Sequence, residues 1–560
     1  MTDVEYPPLP ENSFRVLDLS RPEGQSDPVC SFRVVSLDNP PRYRAISYCW
    51  GDTTEVTRIS FHDGRSLPLS ETLAALFTSL LNKSSSFTVW IDALCINQPN
   101  TREREAQVLM MGRIFSSAVR VLLWLGGSDA ISTRAFAAMR SLAEDEDGKN
   151  DQDALESIFL LLRRPWFQRV WVIQEITVGA RVTMACGDDT LPFDLFANAV
   201  FAIWGSFTGH LDYEDTDPAQ RGLWCVTRLI HIRWEFQERA WEEGTAGVCY
   251  ETLLQAAFHC NATDRRDMVF AFRGIADGRP VPRPNYGILE EQLFVETAEA
   301  LLCNGDSLDL LALCGIGNRD GELLPELPSW VPDLRTYSYN EPLVPCNSAD
   351  WNSGGPLEIS PIVETEPLLR LRLQAKLIDE VAVVSPQFMS WSVEEQKKAI
   401  RAVWGWRQRL SSPISDETWM ERVMFTLIVG IDIDDEPLTR ETPLWHEYKH
   451  EFSEWLEWLW SSSSEEDLEK IKHNKYHRTI GPCIDEHVAC MTSQGMLCVG
   501  MGATVVGDVV CTIPGCRIPL TVRREEVTSS WLLVGWCYVD GLMFGEAAAL
   551  ERPIEEILLR

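Results

Sequence analysis

Residues 87–124 read FTVWIDALCINQPNTREREAQVLMMGRIFSSAVRVLLW. Phe87 to Ile91 is a β-branched and aromatic run, long enough for one buried strand, and it stops on the charge of Asp92. Asn100 and Thr101 can cap a helix, with Glu103 placed to reach back as a capping box. Val108, Met111, Phe115 and Ala118 then recur at helical spacing, so one face of that helix is apolar. Val119 to Leu125 is a second apolar run, closed by Gly126 and Gly127. Strand, helix and strand in this order predict a parallel βαβ crossover, which is right-handed in nearly all cases. Open α/β sheets hold ligands on the loops at the carboxyl ends of their strands, and Asp92, Cys95, Asn97 and Gln98 lie on one such loop.

Upstream, Arg42 to Gly51 (RYRAISYCWG) reads as a strand running into a tight glycine turn. Ser70 caps a helix whose Leu73, Leu76, Phe77, Leu80 and Leu81 share a side. Together these predict a β-α-β-α-β unit in which the Arg42–Tyr48 strand lies between the other two, as in a flavodoxin-like sheet. Tyr48, Trp50 and Asp92 then share its carboxyl edge. Phe14 to Pro41 reads as paired strands. Downstream, helices are expected near Ser132–Leu142 and Ala154–Leu162, around an acidic loop, Glu144 to Asp153. Pro165 suits the start of a helix, and Arg181 to Cys186 is a short strand after the stop at Gly179.

The chain has 560 residues, with 50 Lys plus Arg against 83 Asp plus Glu, a net charge of -33. Such a surface repels phosphate backbones, so nucleic acid is not expected as a partner. Every apolar run falls short of the roughly 18 residues a membrane span needs, and Met1 to Pro10 lacks the parts of a signal peptide. The expectation is a soluble, cytoplasmic protein without a membrane span. Sixteen cysteines without a C-x-x-C pair read as reduced core residues.

Beyond the α/β segment the pattern is helical. Leu293, Phe294, Ala298, Leu301 and Leu302 share a face, and Asp264, Arg265, Arg266 and Asp267 form a charged turn with local ion pairing. Tyr337 to Pro367 reads as a loop-rich boundary and Ser461 to Asp467 as a polar break. Trp404, Trp406, Trp455, Trp458 and Trp460 are expected to fill a helical core, because acidic surroundings disfavour base stacking. From about Ile480, short apolar runs between Gly and Pro turns predict a small β unit. The domain limits are 1–41 for N-terminal strands, 42–200 for the α/β domain, 201–340 for a helical region, 341–470 for a loop- and Trp-rich helical region, and 471–560 for the C-terminal β unit.

Chemistry is narrowed partly by exclusion. His473, His477, Cys483, His487 and Cys490 have spacings zinc could use, but they lack a C-x-x-C knuckle, so no metal is expected. Cys95 as a nucleophile would have only His62 in its own domain as base. The chain contains neither a P-loop nor G-x-G-x-x-G, which argues against a nucleotide kinase or dehydrogenase. Glu175 stands out in WVIQEITV, where every residue within three positions except Gln174 and Thr177 is apolar. A carboxylate on a helix that asks for burial must be paired or used. Its pairing candidates are Arg169 and Arg181.

YRAISYCWGD at Tyr43–Asp52, VWIDALCINQ at Val89–Gln98, the helix and strand through Leu125, and RPWFQRVWVIQE at Arg164–Glu175 together resemble the fungal heterokaryon-incompatibility (HET) domain. DRRDMVFAFRGIAD at Asp264–Asp277, LPSWVPDL at Leu327–Leu334 and the tail from Gly507 resemble the regions that flank that domain in full-length HET proteins. The HET stretch is in turn similar to a divergent TIR domain, with ISY on the first strand, ID ending the second, and W-x-x-x-x-W-x-x-Q-E on a later helix. This resemblance implies a TIR/flavodoxin-like parallel sheet and a role in fungal allorecognition and programmed cell death. It also implies Glu175 as the catalytic carboxylate of an NAD glycohydrolase, with NAD as substrate rather than bound cofactor. Tyr48, Trp50, Asp92 and Trp171 are the expected substrate-binding residues. The implied partner is a second copy of the chain or a fungal signalling protein. The alternative is a non-catalytic signalling or scaffolding module in which Asp92, Asn97 and Gln98 support loop structure.

Overall fold

The computed structural model describes residues 5–22, 28–52, 54–144, 152–207, 217–242, 247–319, 327–335, 351–366, 368–389, 392–433, 436–461, 471 and 473–560. Most of the acidic loop Glu144–Asp153, much of the Tyr337–Pro367 boundary and most of the Ser461–Asp467 break lie outside them. The chain divides into one unit of residues 1–207, 213–278 and 283–288 and another of 208–212, 279–282 and 289–560.

The first unit is built on a 9-stranded sheet. Its strands are β1 (Ser13–Ser20), β2 (Val29–Ser36), β3 (Arg44–Tyr48), β4 (Thr57–Phe61), β5 (Ser66–Leu69), β6 (Ser86–Trp90), β7 (Arg120–Trp124), β8 (Val182–Cys186) and β9 (Asp189–Pro192). Their order is β5-β4-β2-β1-β6-β3-β7-β8-β9. β3 lies between β6 and β7 and is parallel to both, with Ala45 opposite Trp90 on one side and Val121 on the other, as the sequence predicts. β8 extends the parallel core beside β7.

The parallel part does not reach the edges. β1 and β2, read from the sequence as paired strands ahead of the sheet, are an antiparallel pair that joins it, with β1 antiparallel to β6. The hairpin of β4 and β5, absent from the expected β-α-β-α-β order, sits between β3 and the first helix. β9 closes the other edge antiparallel to β8.

The helices form for local reasons. α1 (Glu71–Lys83) is capped by Ser70 Oγ, which accepts from Leu73 N, and buries Leu73, Leu76, Phe77, Leu80 and Leu81. α2 (Asp92–Cys95) is a single turn, and α3 (Thr101–Ser117) starts at Asn100, whose side chain accepts from Glu103 N at 3.2 Å. The reciprocal half of the expected capping box does not form. The Glu103 carboxylate instead receives Arg15 Nη2 at 2.9 Å and Asn97 N at 2.8 Å. Arg15 is fully buried, so the stronger demand of a desolvated guanidinium takes the carboxylate away from the cap. The unit continues with α4 (Ala130–Glu144), α5 (Gln152–Leu161), a 3₁₀ turn at Pro165–Gln168, α6 (Trp171–Thr177), α7 (Phe193–Phe207), α8 (Pro218–Glu242), α9 (Tyr250–Ala257) and α10 (Asp267–Phe270).

In the second unit, α11 (Glu290–Asn304) buries Leu293, Phe294, Ala298, Leu301 and Leu302. An 8-stranded sheet follows. It comprises β10 (Ile362–Glu364), β11 (Arg370–Val384), β12 (Val488–Thr492), β13 (Leu497–Gly500), β14 (Val509–Thr512), β15 (Leu520–Glu525), β16 (Ser530–Val539) and β17 (Glu555–Leu559). β11 pairs with both β12 and β14, so the β11-β12-β13-β16-β15-β14 ring closes on itself. The sequence reading starts the β unit near Ile480 and passes over β11, whose alternation is interrupted by register shifts after Leu377 and Val381. Between β11 and β12 lie α12 (Val393–Gly405), α13 (Asp416–Leu427), α14 (Leu444–Trp460) and α15 (Lys475–Ile484). Trp406, Trp455 and Trp458 are buried as expected, whereas Trp404 and Trp460 are not: they are 38% and 43% exposed. The Arg401 guanidinium lies 5.3 Å from the Trp460 ring centre. Among the described residues no helix is long and apolar enough to cross a membrane.

Candidate active site

The carboxyl ends of β3 and β6 and the start of α6 bring together residues far apart in sequence. Ser47 is the one aliphatic hydroxyl in the buried segment Ala45–Tyr48 and is itself fully buried. A buried hydroxyl must find partners, and Ser47 finds two. Trp166, on the 3₁₀ turn, donates from Nε1 to Ser47 Oγ at 2.9 Å, and Ser47 Oγ donates to Glu175 Oε2. The indole can only donate, so it fixes the direction of this chain and points the single hydroxyl proton of Ser47 at the carboxylate.

Glu175 sits on α6 with 3% of its surface exposed. Burial pushes its carboxyl up to about 7, while Arg169 and the Ser47 hydroxyl pull the other way and Asp92 adds to the rise. An ion pair with either candidate, Arg169 or Arg181, is absent: among the described residues no basic group lies within 4.0 Å of the carboxylate. Arg169 Nη1 donates instead to the carbonyl of Tyr48. The positive charge is close enough to act on Glu175, Asp92 and Tyr48, but it pairs with neither carboxylate.

Asp92, half-buried at the end of β6, accepts from Trp50 Nε1 at 2.9 Å and from Ala93 N at 2.7 Å, and burial raises its carboxyl. Gln98 Nε2 holds the same loop through Asp92 O at 3.0 Å. Tyr48 is buried, and its hydroxyl is raised by burial and then by Asp92. Cys95 is fully buried with its thiol pushed up to about 12, so it is not poised as a thiolate. Among the described residues no group of three or more His, Cys, Asp or Glu is arranged to hold a metal.

Of the residues singled out from sequence, Tyr48, Trp50, Asp92 and Glu175 form one electrostatically connected group. Trp171 belongs to a neighbouring cluster: its Nε1 donates to Asp267 Oδ2 at 3.0 Å, and Tyr286 OH donates to Asp267 Oδ1 at 2.8 Å. Asp267, pushed up to about 6 by burial, is therefore more than a partner in the charged turn, where Arg266 pairs with Asp264. Ser47, Trp166 and Asp267 have no site role in the sequence reading. The available signal for Ser47 is a small polar side chain between Ile46 and Tyr48 in a strand expected to be buried.

With this geometry in place, sequence comparison agrees with the motif reading. The model of the family described as Heterokaryon incompatibility protein (HET) matches residues 43–175, which run from the start of β3 to Glu175. That of the Het-6 beta-barrel domain matches residues 453–559, which include β12 to β16 of the closed ring and β17 beside it. These two matches and the similarity that follows support a fungal HET protein. It is similar to Heterokaryon incompatibility protein 6, OR allele, of Neurospora crassa, with 24% identity over 653 aligned positions that cover 96% of this chain and 95% of that relative. No solved structure matches the chain significantly.

Proposed function

We propose that the protein acts in fungal heterokaryon incompatibility as an allorecognition and cell-death effector, and that the Glu175 site hydrolyses NAD when copies of the chain assemble. The role rests on similarity to an incompatibility protein over nearly the whole chain. The catalytic reading rests on one observation above others: a buried carboxylate without an ion-pair partner among the described residues, held by a directed Trp166–Ser47–Glu175 chain at the carboxyl end of the central strand.

The chemistry suits a single carboxylate. Nicotinamide leaves NAD as a neutral molecule from a cationic ring, so its departure needs no general acid, unlike ordinary glycoside hydrolysis. An ionised Glu175 stabilises the positive charge that develops on the ribose as the glycosidic bond breaks, and water completes the hydrolysis. Trp50, half-buried and pinned at its indole N–H by Asp92, offers a flat wall for a ring.

The test is NAD consumption by the purified full chain, free and forced to oligomerise. Glu175→Gln keeps the shape and removes the charge, and should lower the rate at least about a hundredfold, on the order of 3 kcal/mol in barrier. Only the ionised form stabilises a cation, so the rate should rise as pH passes through about 7. Wild-type protein that consumes no NAD even when assembled, or a Gln variant that is equally fast, removes the catalytic reading. The depth of Glu175, only 3% exposed, favours the second reading in that case: a signalling scaffold in which the same chain is structural.

A further inference from the structure

The chain carries far more acidic than basic residues, and many of its arginines are paired with carboxylates. Arg169 departs from this. It is half-buried, anchored by Nη1 to the Tyr48 carbonyl at the end of β3, and acted on by both Asp92 and Glu175 without forming an ion pair to either. Its Nε and Nη2 have no acceptor among the described residues, and they are not sealed from solvent. The nearby Arg164 offers no parallel, because its donors are used on Leu125 O, Gly127 O and Asp129.

A guanidinium held at one corner, with its remaining donors spare, has the planar fork that matches an oxyanion. Its place is the carboxyl end of β3, next to β7. There the outgoing connections diverge, since β3 leads toward β6 on one side and β7 toward β8 on the other. This is the switch point at which α/β sheets take phosphorylated ligands.

We propose that Arg169 is the receptor for a phosphate or pyrophosphate group, which makes the ligand of this site a nucleotide bound through its phosphates. The proposal deepens the NAD reading and takes from it only the identity of the glycosidic bond to be cleaved. Anion binding itself does not depend on turnover. Asp92 and Glu175 oppose an incoming anion, so Arg169 must supply the attraction, and neutralising Glu175 should strengthen binding.

The experiment is isothermal titration of the full-length protein with ADP, inorganic pyrophosphate and adenosine. None of these carries a nicotinamide bond, so the result is independent of whether NAD is hydrolysed. ADP should bind, pyrophosphate should bind with the same dependence on Arg169, and adenosine should bind far more weakly. Arg169→Met should weaken ADP by about tenfold or more, and Arg169→Lys, which keeps the charge but loses the fork, by less. Glu175→Gln should tighten ADP, a response that a merely structural arginine would not produce, and this variant keeps the proposal testable if Arg169→Met does not fold. Absence of ADP binding in the wild type, equal binding by Arg169→Met, adenosine binding as tightly as ADP, or weaker ADP binding by Glu175→Gln would each overturn the assignment.

Discussion

Glu175 is removed from water yet keeps one strong donor, so its proton leaves near pH 7 rather than at the ordinary 4.5. The sign of the resulting stability change follows. With the folded-state value raised, Glu175 contributes stability that is complete below the unfolded value of 4.5 and is lost as pH rises through about 7. Asp267, raised to about 6, adds a change of the same sign. Glu175→Gln removes the Glu175 part alone. Urea unfolding at about pH 5 and about pH 8 should therefore show a smaller loss of stability in the variant, by on the order of 2–3 kcal/mol. Parallel pH profiles for the two proteins would mean that Glu175 titrates normally and is not desolvated as described.

The helix that carries Glu175 has only seven residues, too short to be stable by its own hydrogen bonds. It is held from outside. Val170 N donates to Asn261 O at 3.1 Å, Trp171 Nε1 to Asp267, and Gly274 N to Gln174 Oε1 at 3.0 Å, while Arg233 Nη1 caps its end at the carbonyls of Ile176 and, at 2.8 Å, Gly179. All of these partners lie after the stretch matched by the HET family model, which stops at 175. A chain ending near residue 200 would leave buried polar groups of α6 unpaired and should not unfold cooperatively in urea, whereas one ending at 288 should. The contact is also close: a Cβ on Gly274 would meet Gln174 Oε1 at 2.2 Å, and one on Gly112 would meet the Gly274 Cα at 3.1 Å. Gly274→Ala is expected to destabilise the protein by about 1–3 kcal/mol in urea unfolding. A neutral result would show that Gln174 swings aside without cost.

Across the whole molecule the net charge of -33 sets how copies meet. Like-charged surfaces repel over the Debye length, which is about 30 Å at ~10 mM salt and about 8 Å at ~150 mM. If activation proceeds through self-association, both assembly and NAD consumption should increase over that salt range. Sedimentation velocity in parallel with the activity assay measures the two together. Assembly that weakens with added salt would point to charge-complementary contacts instead.

The sequence by itself determined the parts whose causes lie within a few residues. The strands at 44–48, 86–90 and 120–124, the caps at Ser70 and Asn100, the apolar faces of α1 and α3, and the oddness of a carboxylate in WVIQEITV are all local matters of periodicity and composition. The central place of β3 also followed, because a flavodoxin-like β-α-β-α-β unit puts its first strand between the other two. Only the tertiary structure decided which groups meet. Ser47 and Glu175 are 128 positions apart, Arg15 and Glu103 88, and Trp171 and Asp267 96. A hydrogen-bonding side chain is read from its type, but its partner is chosen by the packing of distant elements. That is why Glu103 left its cap for a buried arginine, why Glu175, with Arg169 and Arg181 as pairing candidates, found a serine, and why Trp171 turned to Asp267. The same applies to β11, whose polar residues and register shifts disguise a strand that becomes necessary only once it has β12, β14 and β17 to pair with. Burial makes each of these choices binding, since a polar group taken from water must be satisfied by whatever the fold places beside it.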